Sequence, residues 1–278
     1  MFTQIVVWLN ALANALGRVL LAPVGWMPGW LSATLVGAVT GVLMIIVFKH
    51  TSNQQAIKRT RNRIKANMLA LSLFKENLWV SFRCQGRLLA SAGMLLWYSL
   101  VPMAVLTVPM ILILGQLALW YQVRPLDVGE PSVVTVMLSD AEPEAVDKIE
   151  LASTDGAKVV TGPVRVPSKQ MVCWELEPTT VGMQQLDFVV GDKTYTKELS
   201  VGDVFQPTSI KRPALLFGDV VLHPRETPFA ADSTVQSIEV TYPDRSSWTS
   251  GTNYWMVYWF LISMVAAFAA KPFLNVNL

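Results

Sequence analysis

Residues 31–65 read LSATLVGAVTGVLMIIVF followed by KHTSNQQAIKRTRNRIK, and the change of character at Lys49 governs how the rest of the chain is read. The first part is uncharged from Leu31 to Phe48, about the length a helix needs to cross hydrocarbon. The second part carries Lys49, Lys58, Arg59, Arg61, Arg63 and Lys65 with no acid among them. Lys and Arg crowded beside a span mark the cytoplasmic side, because they resist translocation. The basic block continues through Lys75, Arg83 and Arg87 with Glu76 its sole acid, and every other acidic residue falls between Asp127 and Asp244. The charge map therefore predicts a basic hairpin inside, an acidic domain outside and membrane between. The expected location is an inner (cytoplasmic) membrane, with the hairpin and the C-terminus in the cytoplasm and the acidic domain extracytoplasmic.

Composition agrees with that division. The 278 residues are 52% hydrophobic and 15% charged, with mean hydropathy +0.40, as expected of an integral membrane protein carrying one soluble domain. The net charge of +2 averages two opposed blocks. Cys84 and Cys173 fall on opposite sides of the membrane in this topology and could not pair with each other. His50 and His223 have no neighbouring ligand type, so neither metal nor cofactor is expected. There is no phosphate loop, dinucleotide fingerprint or nucleophile elbow. Glu175 and Glu177 share a strand face but read as surface carboxylates, and no carboxylate lies in a span, which argues against proton relay. An enzyme is not expected.

Working outward, residues 1–30 read as an amphipathic interfacial helix ended by Pro23, Gly25, Pro28 and Gly29. Phe2, Ile5, Val6, Leu9, Leu12, Ala13 and Leu16 form one side, and Thr3, Gln4, Asn10, Asn14 and Arg18 the other. A cleaved signal peptide is the competing reading, weakened by the lack of Lys or Arg before Arg18. Residues 31–48 form the first span, on which Gly37 and Gly41 make a small-residue face suited to helix packing. Residues 49–95 form a basic helical hairpin of coiled-coil type. It starts at a Ser52 cap with Gln55 three residues later, buries Ile57, Ile64, Met68 and Leu71, and turns near Lys75, Glu76 and Asn77. Residues 96–122 form the second span, bracketed by Trp97-Tyr98 and Trp120-Tyr121 in the headgroup layers and kinked by Pro102 and Pro109. A re-entrant helical pair is the alternative there.

Residues 124–250 read as an all-β domain inserted between spans. Ile149/Leu151, Val172/Trp174/Leu176, Leu186/Phe188/Val190 and Ile238/Val240/Tyr242 alternate into a common core, with a hairpin turn at Gly191-Asp192. Short strands with Gly and Pro punctuation point to an immunoglobulin-like sandwich. A third span occupies 252–270, opening on Tyr254, Trp255, Tyr258 and Trp259, and 271–278 is a cytoplasmic tail. The predicted fold class is thus membrane α-helical, three spans plus the interfacial helix and cytoplasmic hairpin, with an inserted β-sandwich.

The basic run Lys58, Arg59, Arg61, Arg63 and Lys65 is the main candidate for function. It suits anionic lipid headgroups, each cation contributing about 1 kcal/mol near the surface. The sharper reading, less favoured because polybasic segments beside spans are frequent, is a docking surface for RNA such as a ribosome. Nothing points to DNA.

In order, the elements are interfacial helix, span, basic hairpin, kinked span, outer domain and span. The layout from Leu31 to Tyr121, and above all Phe48 to Phe74, FKHTSNQQAIKRTRNRIKANMLALSLF, resembles the minimal core of the YidC/Oxa-type insertase superfamily. That group includes archaeal YidC-like proteins and the third subunit of the ER membrane protein complex. The resemblance implies assistance to membrane-protein insertion or assembly, with other membrane proteins as clients and a polar groove in the membrane. Here the groove positions would be Thr34 and Thr40 on the first span and Ser99, Thr107 and Gln116 on the second. The bacterial members carry their large outer domain before the core, whereas here it follows the second span. The alternative function is an accessory subunit of a larger inner-membrane complex, docking through its β domain and spans.

Overall fold

The computed structural model describes residues 2–21, 23, 26–73, 78–152, 156–274 and 276. The chain divides into two compact units: residues 1–33 with 111–258, and residues 34–110 with 259–278. Four long helices come first: α1 (Phe2–Leu21), α2 (Gly29–Thr51), α3 (Gln54–Leu73) and α4 (Leu78–Tyr121). After them come β1 (Ser132–Leu138), α5 (Ala145–Lys148), β2 (Ile149–Leu151), β3 (Ala157–Val166), β4 (Met171–Pro178), β5 (Gly182–Val190) and β6 (Lys193–Val201). The chain closes with β7 (Lys211–Arg212), α6 (Phe217–Leu222), β8 (Val235–Val240) and α7 (Trp255–Leu274). Among the described residues, α2, the Ser81–Tyr121 part of α4, and α7 are long and apolar enough to cross a membrane.

The helix ends differ from the sequence expectation in three places. No helix end separates a hairpin helix from a span at residues 95 and 96, because α4 is one helix of 44 residues. It spans about 66 Å at 1.5 Å per residue, and it runs through Pro102 and Pro109 rather than forming a re-entrant pair. Asn53, not Ser52, caps α3: its Oδ1 accepts from the Ala56 N–H at 3.0 Å. The Ser52 hydroxyl instead accepts from the Gln54 side chain. Finally, α7 continues past Ala270 to Leu274 even though Pro272 lacks the N–H that would donate to the Phe268 carbonyl. The expected turn at Lys75, Glu76 and Asn77 lies outside the described residues.

The β domain consists of two antiparallel sheets, one ordered β3-β4-β1-β8-β7 and the other β2-β5-β6. Alternation sets the inward faces. Val134 and Val136 of β1, Val172, Trp174 and Leu176 of β4, and Ile238 and Val240 of β8 meet Ile149, Leu186, Phe188 and Leu199 of the other sheet in one buried cluster. Trp174 and Phe188 touch across it, ring centroids 5.2 Å apart. The expected strand faces agree, and Gly191 and Asp192 form the turn between β5 and β6, Gly191 adopting a φ of 59° that favours glycine.

The entry and exit of this domain are fastened to each other. Val123 bridges Asp244, the Arg124 N–H donates to the Pro243 carbonyl at 3.0 Å, and the Gly251 N–H donates to the Tyr121 carbonyl at 2.7 Å. This corrects the reading of Trp120-Tyr121 as headgroup-layer aromatics. Both are buried, Tyr121 at 3% exposure, and both pack on Phe205 with centroids at 5.4 and 5.6 Å. The Arg245 guanidinium covers the same Phe205 ring at 4.6 Å, and burial lowers its pKa to about 10. The last turn of α4 is therefore part of the β domain's packing. Trp97, at the other aromatic pair, is exposed.

Candidate functional site

The basic surface belongs to α3 and the first turns of α4. Capping by Asn53 starts α3, and Ile57 and Thr60 are its buried residues. Ile64 and Leu71 are half-buried, but Met68, expected on the buried face, is 58% exposed. Lys58, Arg59, Arg63 and Lys65 are exposed and Arg61 is half-buried. Among the described residues none of these five has a carboxylate within ion-pair distance. On α4, Arg83 lies over the Trp79 ring at 5.4 Å. Arg63, Ala66 and Asn67 of α3 and Arg87, Ala90, Ser91 and Met94 of α4 line a common cavity of about 390 Å³. The structure thus brings Arg63 together with Arg87, a residue outside the five singled out from sequence. Only the pairing of helices reveals this, because 24 positions separate the two arginines.

The candidate packing residues lie at the approach of α2 to α7. A Cβ on Gly37 would sit 3.1 Å from Ile262 Cγ2, and one on Gly41 would overlap the Ser263 backbone carbonyl. Gly41 thus allows contact that no side chain permits, the role small residues serve between apolar helices.

Three of the candidate groove hydroxyls bond within their own helices. The Thr40 hydroxyl donates to the Val36 carbonyl at 2.7 Å, Ser99 to Leu95 at 3.0 Å and Thr107 to Met103 at 2.8 Å, each one turn back on its own helix. Thr34 is half-buried on α2. Gln116 belongs to a different arrangement: its Nε2 donates to Asn14 Oδ1 on α1 at 2.5 Å.

That contact is part of a latch that the sequence did not suggest. The Asn10 side chain donates to the Val220 carbonyl at 2.7 Å, and Asn14 to the carbonyls of Pro224 and Arg225 at 2.8 and 3.2 Å. Asn10 and Asn14 therefore turn inward onto α6 and the segment after it, while Gln4, Ile5, Trp8, Leu12 and Leu16 are exposed, Trp8 at 72%. The side chain of Arg18 lies outside the described residues.

The same segment carries a buried ion pair. Lys197 is 0% exposed, and its Nζ donates to Glu226 Oε1 at 2.6 Å, the Ser209 carbonyl at 2.7 Å and the Glu198 carbonyl at 3.0 Å. All three ammonium protons have acceptors. Glu226 also accepts from the Ser209 hydroxyl and the Glu198 N–H, and Arg225 Nε pairs with Glu198 at 2.6 Å. Burial pushes Lys197 below the ordinary lysine value, with Glu226 opposing the shift. Tyr195, Lys197, Leu199 and Val201 alternate inward, so a lysine at a core position was the signal in the sequence. With no access from solvent, Lys197 fixes structure rather than performing chemistry. Glu175 is half-buried and accepts from the Thr161 hydroxyl at 2.8 Å; Glu177 is half-buried beside it in register. No group of His, Cys, Asp or Glu among the described residues could hold a metal.

No protein-family model, curated protein or solved structure matches this chain.

Proposed function

We propose that this chain is an integral protein of an inner membrane, with α2, α4 and α7 crossing the bilayer, the α3–α4 hairpin and the C-terminus cytoplasmic, and the β domain an extracytoplasmic immunoglobulin-like sandwich. Its helical core assists the insertion or assembly of other membrane proteins by apolar contact, without covalent chemistry or a cofactor. Anionic lipid and translating ribosomes are the partners suited to the unpaired hairpin cations.

The observation that carries this reading is the continuity of α4. A single helix leads from Arg87 along one face through Met94, Val101, Val105 and Val108, all of them exposed. A client helix arriving at the basic end would meet an apolar track along that face, and on the opposite face the exposed Thr107 hydroxyl keeps a free acceptor site. The test is a photo-crosslinking residue at Val105 or Thr107 of the full chain in cells. Adducts with many different nascent membrane proteins are expected; an absence of adducts during membrane-protein synthesis would overturn the reading.

One observation favours an accessory-subunit role instead. Apart from its approach to Gly37 and Gly41, α7 exposes Met256, Val257, Phe260, Leu261, Val265 and Phe268, a surface another span could cover. A single stoichiometric crosslinked partner in place of diverse clients would select this role.

A further inference from the structure

The cavity shared by α3 and α4 has a composition that matches one class of ligand. Arg63 and Arg87 enter it from different helices, Asn67 and Ser91 add neutral polar groups, and Ala66 and Ala90 leave the space open. No described carboxylate balances the two guanidiniums. Two like charges facing one cleft repel until an anion lies between them, and a guanidinium fork matches phosphate oxygens in geometry as well as charge. The space is an open cleft of about 390 Å³, with Arg63, Ala66, Arg87, Ala90 and Met94 all exposed around it.

The ends of the cavity differ. Arg87, Ser91 and Met94 lie in the first turns of the apolar Ser81–Tyr121 segment. Met94 lies at the end of the cleft toward the apolar stretch, and Val101 and Val105, two and three turns further along the same face of α4, are exposed. A soluble phosphate makes no use of those side chains, whereas a phosphodiester bearing acyl chains uses both ends. RNA fits less well, because a polyanion makes no use of the apolar face beyond Met94. We infer that the α3–α4 cavity is a binding site for one anionic phospholipid, its phosphate held between Arg63 and Arg87 and its chains lying along Met94 and the exposed apolar residues beyond. This rests on the proposed membrane embedding with a cytoplasmic hairpin, and is independent of any client-handling activity.

The test uses the full chain in mild detergent, titrated with dioleoyl phosphatidylglycerol or dioleoyl phosphatidylcholine and read by native mass spectrometry. One phosphatidylglycerol is expected to bind at least 10-fold more tightly than phosphatidylcholine. R63Q/R87Q should lose that preference, while K58Q/R59Q, which removes equal charge elsewhere on α3, should keep it. R63K/R87K should bind with intermediate strength, because lysine retains charge without the fork. Equal loss in both glutamine pairs would show diffuse attraction and overturn the site. Displacement by millimolar inorganic phosphate as effectively as by lipid would assign a free phosphate site. Displacement by a short oligouridine at low micromolar concentration, with no lipid preference, would assign RNA. Crosslinking to clients on the same variants is read separately: its failure with lipid preference intact sinks the proposed function and leaves this site standing.

Discussion

Gln116 of α4 donates to Asn14 of α1 at 2.5 Å, across 102 residues of sequence. Through that bond, and the bonds of Asn10 and Asn14 to Val220, Pro224 and Arg225, the two asparagines of an amphipathic helix face protein while apolar side chains face out. An exposed row of Ile5, Trp8, Leu12 and Leu16 suits a helix lying against lipid while gripped from behind.

Removing the grip should release α1. N10A/N14A would leave backbone carbonyls and Gln116 short of partners, at a cost of about 1–3 kcal/mol per buried group. The expected outcome is protease sensitivity between α1 and α2 in the purified protein, with the β domain remaining resistant. Unchanged cleavage would mean that the apolar face alone holds α1.

The two glycines of α2 should differ. G37A meets Ile262 Cγ2 at 3.1 Å and Cβ at 3.3 Å, contacts that a shift of a few tenths of an ångström relieves, whereas G41A meets the Ser263 backbone, which cannot move aside without displacing α7. Overpacking costs typically about 1–3 kcal/mol, so G41A should lie at or above that range and G37A at or below its lower end. Thermal denaturation in detergent provides the comparison, and equal shifts would exclude the packing described here.

The Lys197–Glu226 pair should show the asymmetry of buried ions. K197M or E226M alone should cost about 3–5 kcal/mol, because each strands the other charge, while K197M/E226M should recover most of the loss. Burial lowers the folded pKa of Lys197 below its unfolded value of about 10.4. Between those two values the unfolded chain binds more protons, so stability rises with pH; below the folded value the cost of burying the charge is fully present. Denaturation midpoints of the wild type should therefore rise relative to K197M/E226M as pH increases toward 10. A flat difference would place the lysine pKa elsewhere.

Topology has its own test. In a background lacking Cys84 and Cys173, a cysteine at Asn62 should react only with a reagent supplied from the cytoplasm, and one at Asp192 only from outside. Both positions are exposed. Reaction of both from one side would remove the three-span arrangement.

Much of the fold was legible because it is periodic. Apolar runs long enough to span hydrocarbon gave α2, the later part of α4, and α7, and strict alternation placed Val172, Trp174, Leu176, Leu186 and Phe188 on inward faces. What misled was the assumption that an aromatic pair or a polar helix side meets the solvent nearest in sequence. Trp120 and Tyr121 look like headgroup anchors until Phe205 is found against them. Arg63 likewise stood among five similar cations until Arg87 appeared across the cavity from it.

Hydropathy and charge are local quantities, so the sequence by itself determined which segments are apolar helices, where the cations concentrate and which strand positions are buried. Partnership is not local. Asn14 with Gln116, Lys197 with Glu226, Gly41 with Ser263 and Arg63 with Arg87 each join residues from separate elements. Only tertiary structure decided these pairs, because a polar group or a glycine states a need for a partner or for close contact without stating where in the chain that need is met.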